Sequence, residues 1–176
     1  MNEVKVPTID VVMFIMDAHS GQTRMDGAPY FIHPLRCLRI LREQLDVKSD
    51  FTDQVMLLHD VEEDCQERGY DLDYLINAFG KDVAVMAHWL CKPPRPKEVD
   101  KLEFNKAIYQ KLGKEAPAIA VQMKIADRLE NLSDPYTWRS DFRARYIADT
   151  QNLLDALIGH DNIHLVAFRL QVIKSM

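Results

Sequence analysis

Val121, Ile125, Leu129 and Leu132 stand at i, i+4, i+8 and i+11, a spacing that lines one side of a helix with apolar groups. The same period returns along most of the chain, while long alternating or β-branched runs are absent, so the sequence predicts an all-α fold. Helices are expected at about 8–19, 34–45, 72–79, 82–90, 103–112, 116–132, 142–157 and 164–174. A further helix, capped by Thr52 and Asp53 and stopped by Gly69, carries Val55, Leu58, His59, Val61, Glu62 and Glu63. At 176 residues the chain is expected to form one domain, which at this size buries roughly 70% of its unfolded surface without disulfide or structural metal.

Two stretches interrupt the helical pattern. Residues 21–32, with Gly27 and Pro29 among them, read as a structured loop that delivers Arg24 at one end and His33 at the other. Lys92-Pro93-Pro94-Arg95-Pro96-Lys97 holds three cations on a segment whose prolines deny it helix. It reads either as a solvated connector or as a basic flap over an anionic substrate. No repeat, low-complexity tract or domain linker stands out. The longest apolar run, Val11 to Met16, is too short to span a bilayer, which takes about 20 residues. Met1–Lys5 lacks the layout of a secretory signal, so a cytoplasmic protein is expected. Cys37, Cys65 and Cys91, odd in number and widely spaced, fit reduced thiols better than a cysteine zinc site. With 22 basic against 27 acidic residues the net charge is −5, which argues against nucleic acid and anionic membranes as partners. A phosphate-bearing ligand must then be attracted locally.

Three fragments carry chemistry: His33 before Pro34, His59-Asp60 with Glu63-Asp64 one turn on, and Asp127 within the segment from Lys124 to Asn131. On a helix His59 lies above Glu63 and Asp60 above Asp64. Two imidazoles and two carboxylates, from His33, His59, Asp60 and Asp127, form an N2O2 set suited to a divalent first-row metal with open positions. Such an ion lowers the pKa of water and polarises a phosphoryl oxygen, the two requirements of phosphate-ester hydrolysis. Glu63 and Asp64 are then candidates to orient or deprotonate water and to protonate a leaving oxygen. Plainer roles stand beside these. His33 can be a helix-start neighbour held by Pro34, and Asp127 can pair with Lys124 or Arg128, although an unpaired carboxylate in an apolar helix would be costly. His19 reads as structural, satisfied by the last carbonyls of its helix. His88, His160 and His164 lack carboxylate clusters and read as ordinary side chains, and the eight Met as core filler.

The segment from His19 to Arg24, followed by Asp26-Gly27-Ala28-Pro29-Tyr30-Phe31-Ile32-His33-Pro34, resembles the opening of the hydrolase domain of the RelA/SpoT family. Leu57 to Asp64 is similar to that domain's HD-x-x-ED segment, and Lys124 to Leu132 to its third metal-binding motif. The three motifs fall in order across residues 19–132, and the chain looks like a stand-alone small alarmone hydrolase. The resemblance implies an HD-superfamily helical bundle holding Mn²⁺ through His33, His59, Asp60 and Asp127. It implies removal of pyrophosphate from the 3′ position of ppGpp or pppGpp, leaving GDP or GTP. Glu63 and Asp64 match the catalytic acidic pair. Arg24 matches a residue packed on the guanine nucleotide, where a planar guanidinium suits a base, and Asn131 one near its sugar and phosphates. Met25 stands in the nucleotide pocket where the family commonly has Lys, Cys65 replaces a Thr after the acidic pair, and Leu132-Ser133-Asp134-Pro135 lacks a frequent Arg.

Two other functions compete with an alarmone hydrolase. One keeps the site but acts on another nucleotide or dinucleotide, such as the ribose phosphate of NADPH, and releases orthophosphate. The other is a nucleotide-sensing module that keeps the metal without turnover, which the acidic Glu63 and Asp64 disfavour because they would repel phosphate. Oligomeric state is open on sequence.

Overall fold

The structure, a computed structural model, describes residue 6 and residues 8–176. The expectation made for Met1–Lys5 lies outside the described residues. Among those described, the regular structure is helical apart from one isolated antiparallel bridge between Thr23 and Pro29, as an all-α fold requires. The chain divides into two compact units, Met1–Cys91 and Lys92–Met176.

The first unit is built around α3 (Asp50–Leu58), in which every residue from Thr52 to Leu58 is buried. Its cap is Ser49 rather than Thr52: the Ser49 hydroxyl accepts from the Thr52 amide at 3.1 Å, and the Thr52 hydroxyl accepts from the Ser49 amide at 3.0 Å. This reciprocal box satisfies two amides that a helix start leaves bare. Against α3 pack α1 (Thr8–Ala18), α2 (Ile32–Glu43) and, through its apolar side, the helix Lys81–His88. α1 turns Val11, Ile15 and Ala18 inward at helical spacing. Each of these three side chains is wholly buried, and removing one of the larger two would cost about 2–5 kcal/mol.

The single helix expected beyond Thr52 breaks in two. α3 ends at Leu58, and α4 (Val61–Cys65) starts after Asp60, whose backbone at φ −100° and ψ −7° leaves helical geometry. One bond of the helical type, from the Asp64 amide to the Asp60 carbonyl at 2.9 Å, starts the new turn. The bend takes His59 and Asp60 off a continuous face and turns their side chains inward. α5 (Leu72–Phe79) and α6 (Lys81–His88) complete the unit.

In the second unit α7 (Lys101–Glu115) packs on α9 (Ser140–Ala156), while α8 (Ala118–Asn131) packs on α10 (Ile163–Ser175). α7 begins earlier than its apolar period suggests, because the Asp100 carboxylate accepts from the amides of Leu102 at 2.8 Å and Glu103 at 3.2 Å. α8 buries an unbroken run from Met123 to Glu130, polar residues included. Lys92–Pro96 adopts no regular structure at the start of this unit, as its prolines dictate.

Candidate metal centre and acidic pair

In the first unit, the loop between α1 and α2 folds back on itself before it delivers His33. The Arg24 amide bonds to the Ala28 carbonyl at 2.8 Å and the Tyr30 amide to the Gln22 carbonyl at 3.0 Å, closing a small hairpin. Gly27 sits at its tip with φ +83°, a conformation that favours glycine. His33 then enters the first turn of α2, one residue before Pro34, where a missing amide proton is tolerated.

His33 and His59 are both buried, with ring centroids 5.3 Å apart. Asp60 stands between them. Its Oδ2 lies 3.3 Å from His33 Nε2 and 3.2 Å from His59 Nε2. Ligands held roughly 2.0–2.2 Å from one ion stand about 3–3.5 Å apart, so both of these contacts have the spacing of atoms that share a cation. His59 meets a second requirement. Its Nδ1 donates to the Met56 carbonyl at 2.7 Å, which leaves Nε2 as a bare lone pair, and this buried nitrogen makes no aligned hydrogen bond among the described residues. An imidazole fixed at one nitrogen and open at the other is the usual state of a metal-ligating histidine.

Two residues overlooked in the sequence adjoin this centre. The Tyr30 hydroxyl donates to Asp60 Oδ2 at 2.9 Å; burial first, then the charges of Asp60 and Asp64, hold the phenol protonated far above its ordinary range. Cys37, one turn beyond His33 on α2, brings its Sγ within 3.6 and 3.7 Å of the two His33 ring nitrogens. His33, Cys37 and His59 each offer a ligand atom, all within 4.8 Å of one another. The signal for Cys37 was its i+4 spacing from His33. No spacing pattern marks Tyr30, which reaches Asp60 across the loop.

Glu63 and Asp64 follow on α4 and are both exposed. Asp64, open to solvent on one side, is pushed up to about 6 by desolvation on the other and by the negative charge of Asp60, against a hydrogen bond from Tyr30. A carboxyl poised there can both hold and release a proton near neutrality. Arg24 is half-buried and Met25 exposed at the hairpin tip.

His19 departs from its expected role. Its Nδ1 meets Gln22 Oε1 at 2.7 Å and Cys65 Sγ at 3.4 Å, rather than the last carbonyls of α1. Burial lowers its pKa. His88, read as an ordinary side chain without a carboxylate cluster, makes a single pair with Glu62 at 2.9 Å.

In the second unit Asp127 is buried on α8 and doubly held. Lys124 Nζ donates to Oδ2 at 2.7 Å and Asn131 Nδ2 to Oδ1 at 2.6 Å. Burial opposes the Lys124 charge, but Asp127 outweighs it and keeps the ammonium protonated above its ordinary range. The pairing of Asp127 with Lys124 is thus present, whereas Arg128 turns to Asp149 at 2.9 Å, Tyr109 at 2.6 Å and Thr150 at 2.9 Å. Asn105 also donates to Asp149 at 2.8 Å. This buried network is a feature that helical periodicity does not announce.

No known family model matches the chain. A Vibrio cholerae protein named guanosine-3′,5′-bis(diphosphate) 3′-pyrophosphohydrolase is 35% identical over 158 residues, 88% of this chain and 22% of its own length. The bifunctional (p)ppGpp synthase/hydrolase SpoT of Escherichia coli K12 is 33% identical over the same length. A Brucella ovis protein named GTP pyrophosphokinase rsh is 31% identical over 153 residues. The chain spans about a fifth of the length of these relatives. Among solved structures, a metazoan ortholog of SpoT described as hydrolysing ppGpp shares the fold, with TM-score 0.79 and 21% identity over 99% of this chain and 97% of that one. Across most of its residues the chain is thus similar to one part of SpoT-type proteins, and its all-α fold is shared with the metazoan SpoT ortholog.

Proposed function

We infer that this chain is a Mn²⁺-dependent 3′-pyrophosphohydrolase acting on ppGpp and pppGpp, with GDP or GTP and pyrophosphate as products. The observation that carries the reading is His59, whose Nδ1 is tied to Met56 and whose buried Nε2 stands bare 3.2 Å from Asp60 Oδ2. In this reading His33, His59 and Asp60 hold the ion, and Asp127 is the fourth ligand on the strength of its motif. The similarity to proteins named for ppGpp hydrolysis supports the substrate class.

The ion, when bound, supplies a lowered water pKa and a polarised phosphoryl oxygen. The chain's own residues supply the remainder. Asp64, with its pKa raised to about 6, takes the proton from the attacking water, and Glu63 beside it protonates or orients the leaving oxygen. Tyr30 fixes Asp60 in place through its hydroxyl. Arg24 packs on the guanine and Asn131 contacts the sugar and phosphate region. Met25 takes the place of a cation at the rim of the nucleotide pocket, where its thioether packs on the base without a charge for the phosphates.

The test is incubation of metal-stripped protein with ppGpp, with and without Mn²⁺, and separation of products by anion exchange. Manganese-dependent GDP and pyrophosphate are expected. Intact ppGpp from metal-loaded protein would overturn the substrate, and release of orthophosphate from NADPH would redirect it. His59→Ala and Asp60→Ala should abolish tight metal binding and turnover together. Glu63→Gln and Asp64→Asn should keep the metal and slow turnover by at least about a hundredfold.

A further inference from the structure

His19 carries a buried nitrogen whose state is set by a chain of contacts within the first unit. The Asp64 backbone carbonyl can only accept, so the Gln22 side chain presents its amide nitrogen there, at 2.9 Å. Its oxygen therefore faces His19 Nδ1 at 2.7 Å, and that nitrogen must carry the proton. Nε2 is left as a lone pair. The His19 side chain is 1% exposed, and Nε2 has no hydrogen-bond partner among the described residues. A bare acceptor shut away from solvent destabilises a fold unless a donor reaches it.

The surroundings of the ring indicate where that donor lies. His19 stacks on Tyr30 with centroids 4.8 Å apart, and Tyr30 in turn contacts the His33 ring at 5.7 Å and bonds Asp60. Asp60, His59 and His33 lie near enough to bear electrostatically on the His19 ring, and Cys65 beside it directs its thiol to the Ala18 carbonyl at 3.3 Å. We propose that His19 is a positioning residue of the centre formed by His33, His59 and Asp60, its Nε2 accepting a hydrogen bond from water beside the cation site. The proposal rests on the metal-centre reading above. His19 is not among the clustered residues of this unit that could hold an ion, His33, Cys37 and His59, nor is it one of the proposed ligands. Gln22 serves it twice, fixing the His19 tautomer and tying it to the backbone that carries Asp64.

Nitrogen-15 NMR of the histidine rings, in metal-free protein and after loading with Zn²⁺ alone, tests this without substrate. His19 should be protonated at Nδ1 in both states, and on loading its Nε2 resonance should move by a hydrogen-bond-sized amount, well below the shifts of His33 and His59. A ligation-sized shift, no shift at all, or protonation at Nε2 would each overturn it. If the His33 and His59 resonances themselves fail to respond, it is the metal-centre reading that fails. Turnover supplies a second readout. His19→Phe should leave Zn²⁺ affinity unchanged and slow turnover by roughly 10–100-fold, and His19→Gln, which restores an acceptor oxygen, should recover part of the loss. Equal rates in the two variants would overturn the proposal.

Discussion

Asp64 acquires its raised pKa of about 6 from desolvation first and from Asp60 second, so the two carboxyls are coupled through space. An Asp that is harder to ionise folded than unfolded binds more protons in the native state between its ordinary value of 3.8 and about 6. Its contribution to stability is therefore present at low pH and is lost as pH rises through that window. In metal-free protein, carboxyl NMR should show Asp64 titrating near 6, and Asp60→Asn should lower that midpoint. An unmoved midpoint would leave the shift to desolvation and Glu63. Tyr30 acts on the same pair from the other side. Tyr30→Phe removes the donor to Asp60 Oδ2 while keeping the ring packed between His19 and His33, and it should weaken Zn²⁺ binding by roughly tenfold, as calorimetry would read. The ligand histidines were readable in the sequence because metal chemistry needs those residue types. Tyr30 and Gln22 were not, because a hydroxyl or amide in a loop has no spacing that betrays its partner.

Helices whose apolar faces repeat were predicted to within a few residues, since burying such a stripe leaves little choice of period. The break between α3 and α4 was not, because Val55, Leu58 and Val61 keep helical spacing across it, and the departure lies in the backbone of Asp60. Polar burial also escaped the pattern: Arg128 and Asp149, on α8 and α9, form an ion pair inside the second unit, with Tyr109 of α7 bonded to both. Asp149→Ala strands a buried guanidinium, and denaturant unfolding should show a loss of about 3–5 kcal/mol. Gly113 shows the opposite constraint. It lies on α7 where a Cβ would come within 2.4 Å of the Ala156 backbone carbonyl of α9, and backbone cannot turn aside as a side chain can. Despite the higher helix propensity of alanine, Gly113→Ala should destabilise the protein by about 1–3 kcal/mol through forced separation of the two helices. A stabilised variant would show that α7 and α9 have slack there.

The net charge of −5 and the buried acidic groups set the terms on which the folded molecule meets a cation. An ion held by His33, His59 and Asp60 binds the native state far better than the unfolded chain, where His33 lies 26 residues from the His59-Asp60 pair. Binding of that kind adds stability by mass action, about 2.7 kcal/mol when free metal stands at a hundred times its Kd. For a chain of this length each kcal/mol moves Tm by roughly 2–4 °C, so saturation with Mn²⁺ or Zn²⁺ should raise Tm by about 5–10 °C. A chelator should reverse the rise. His59→Ala should abolish it, because the remaining donors lose the nitrogen that stands bare, whereas Glu63→Gln should leave it intact. A rise that survives in His59→Ala would place the cation elsewhere on the acidic surface. Equal rises in wild type and all variants would mark it as general charge screening, which also follows ionic strength and would appear with a monovalent salt.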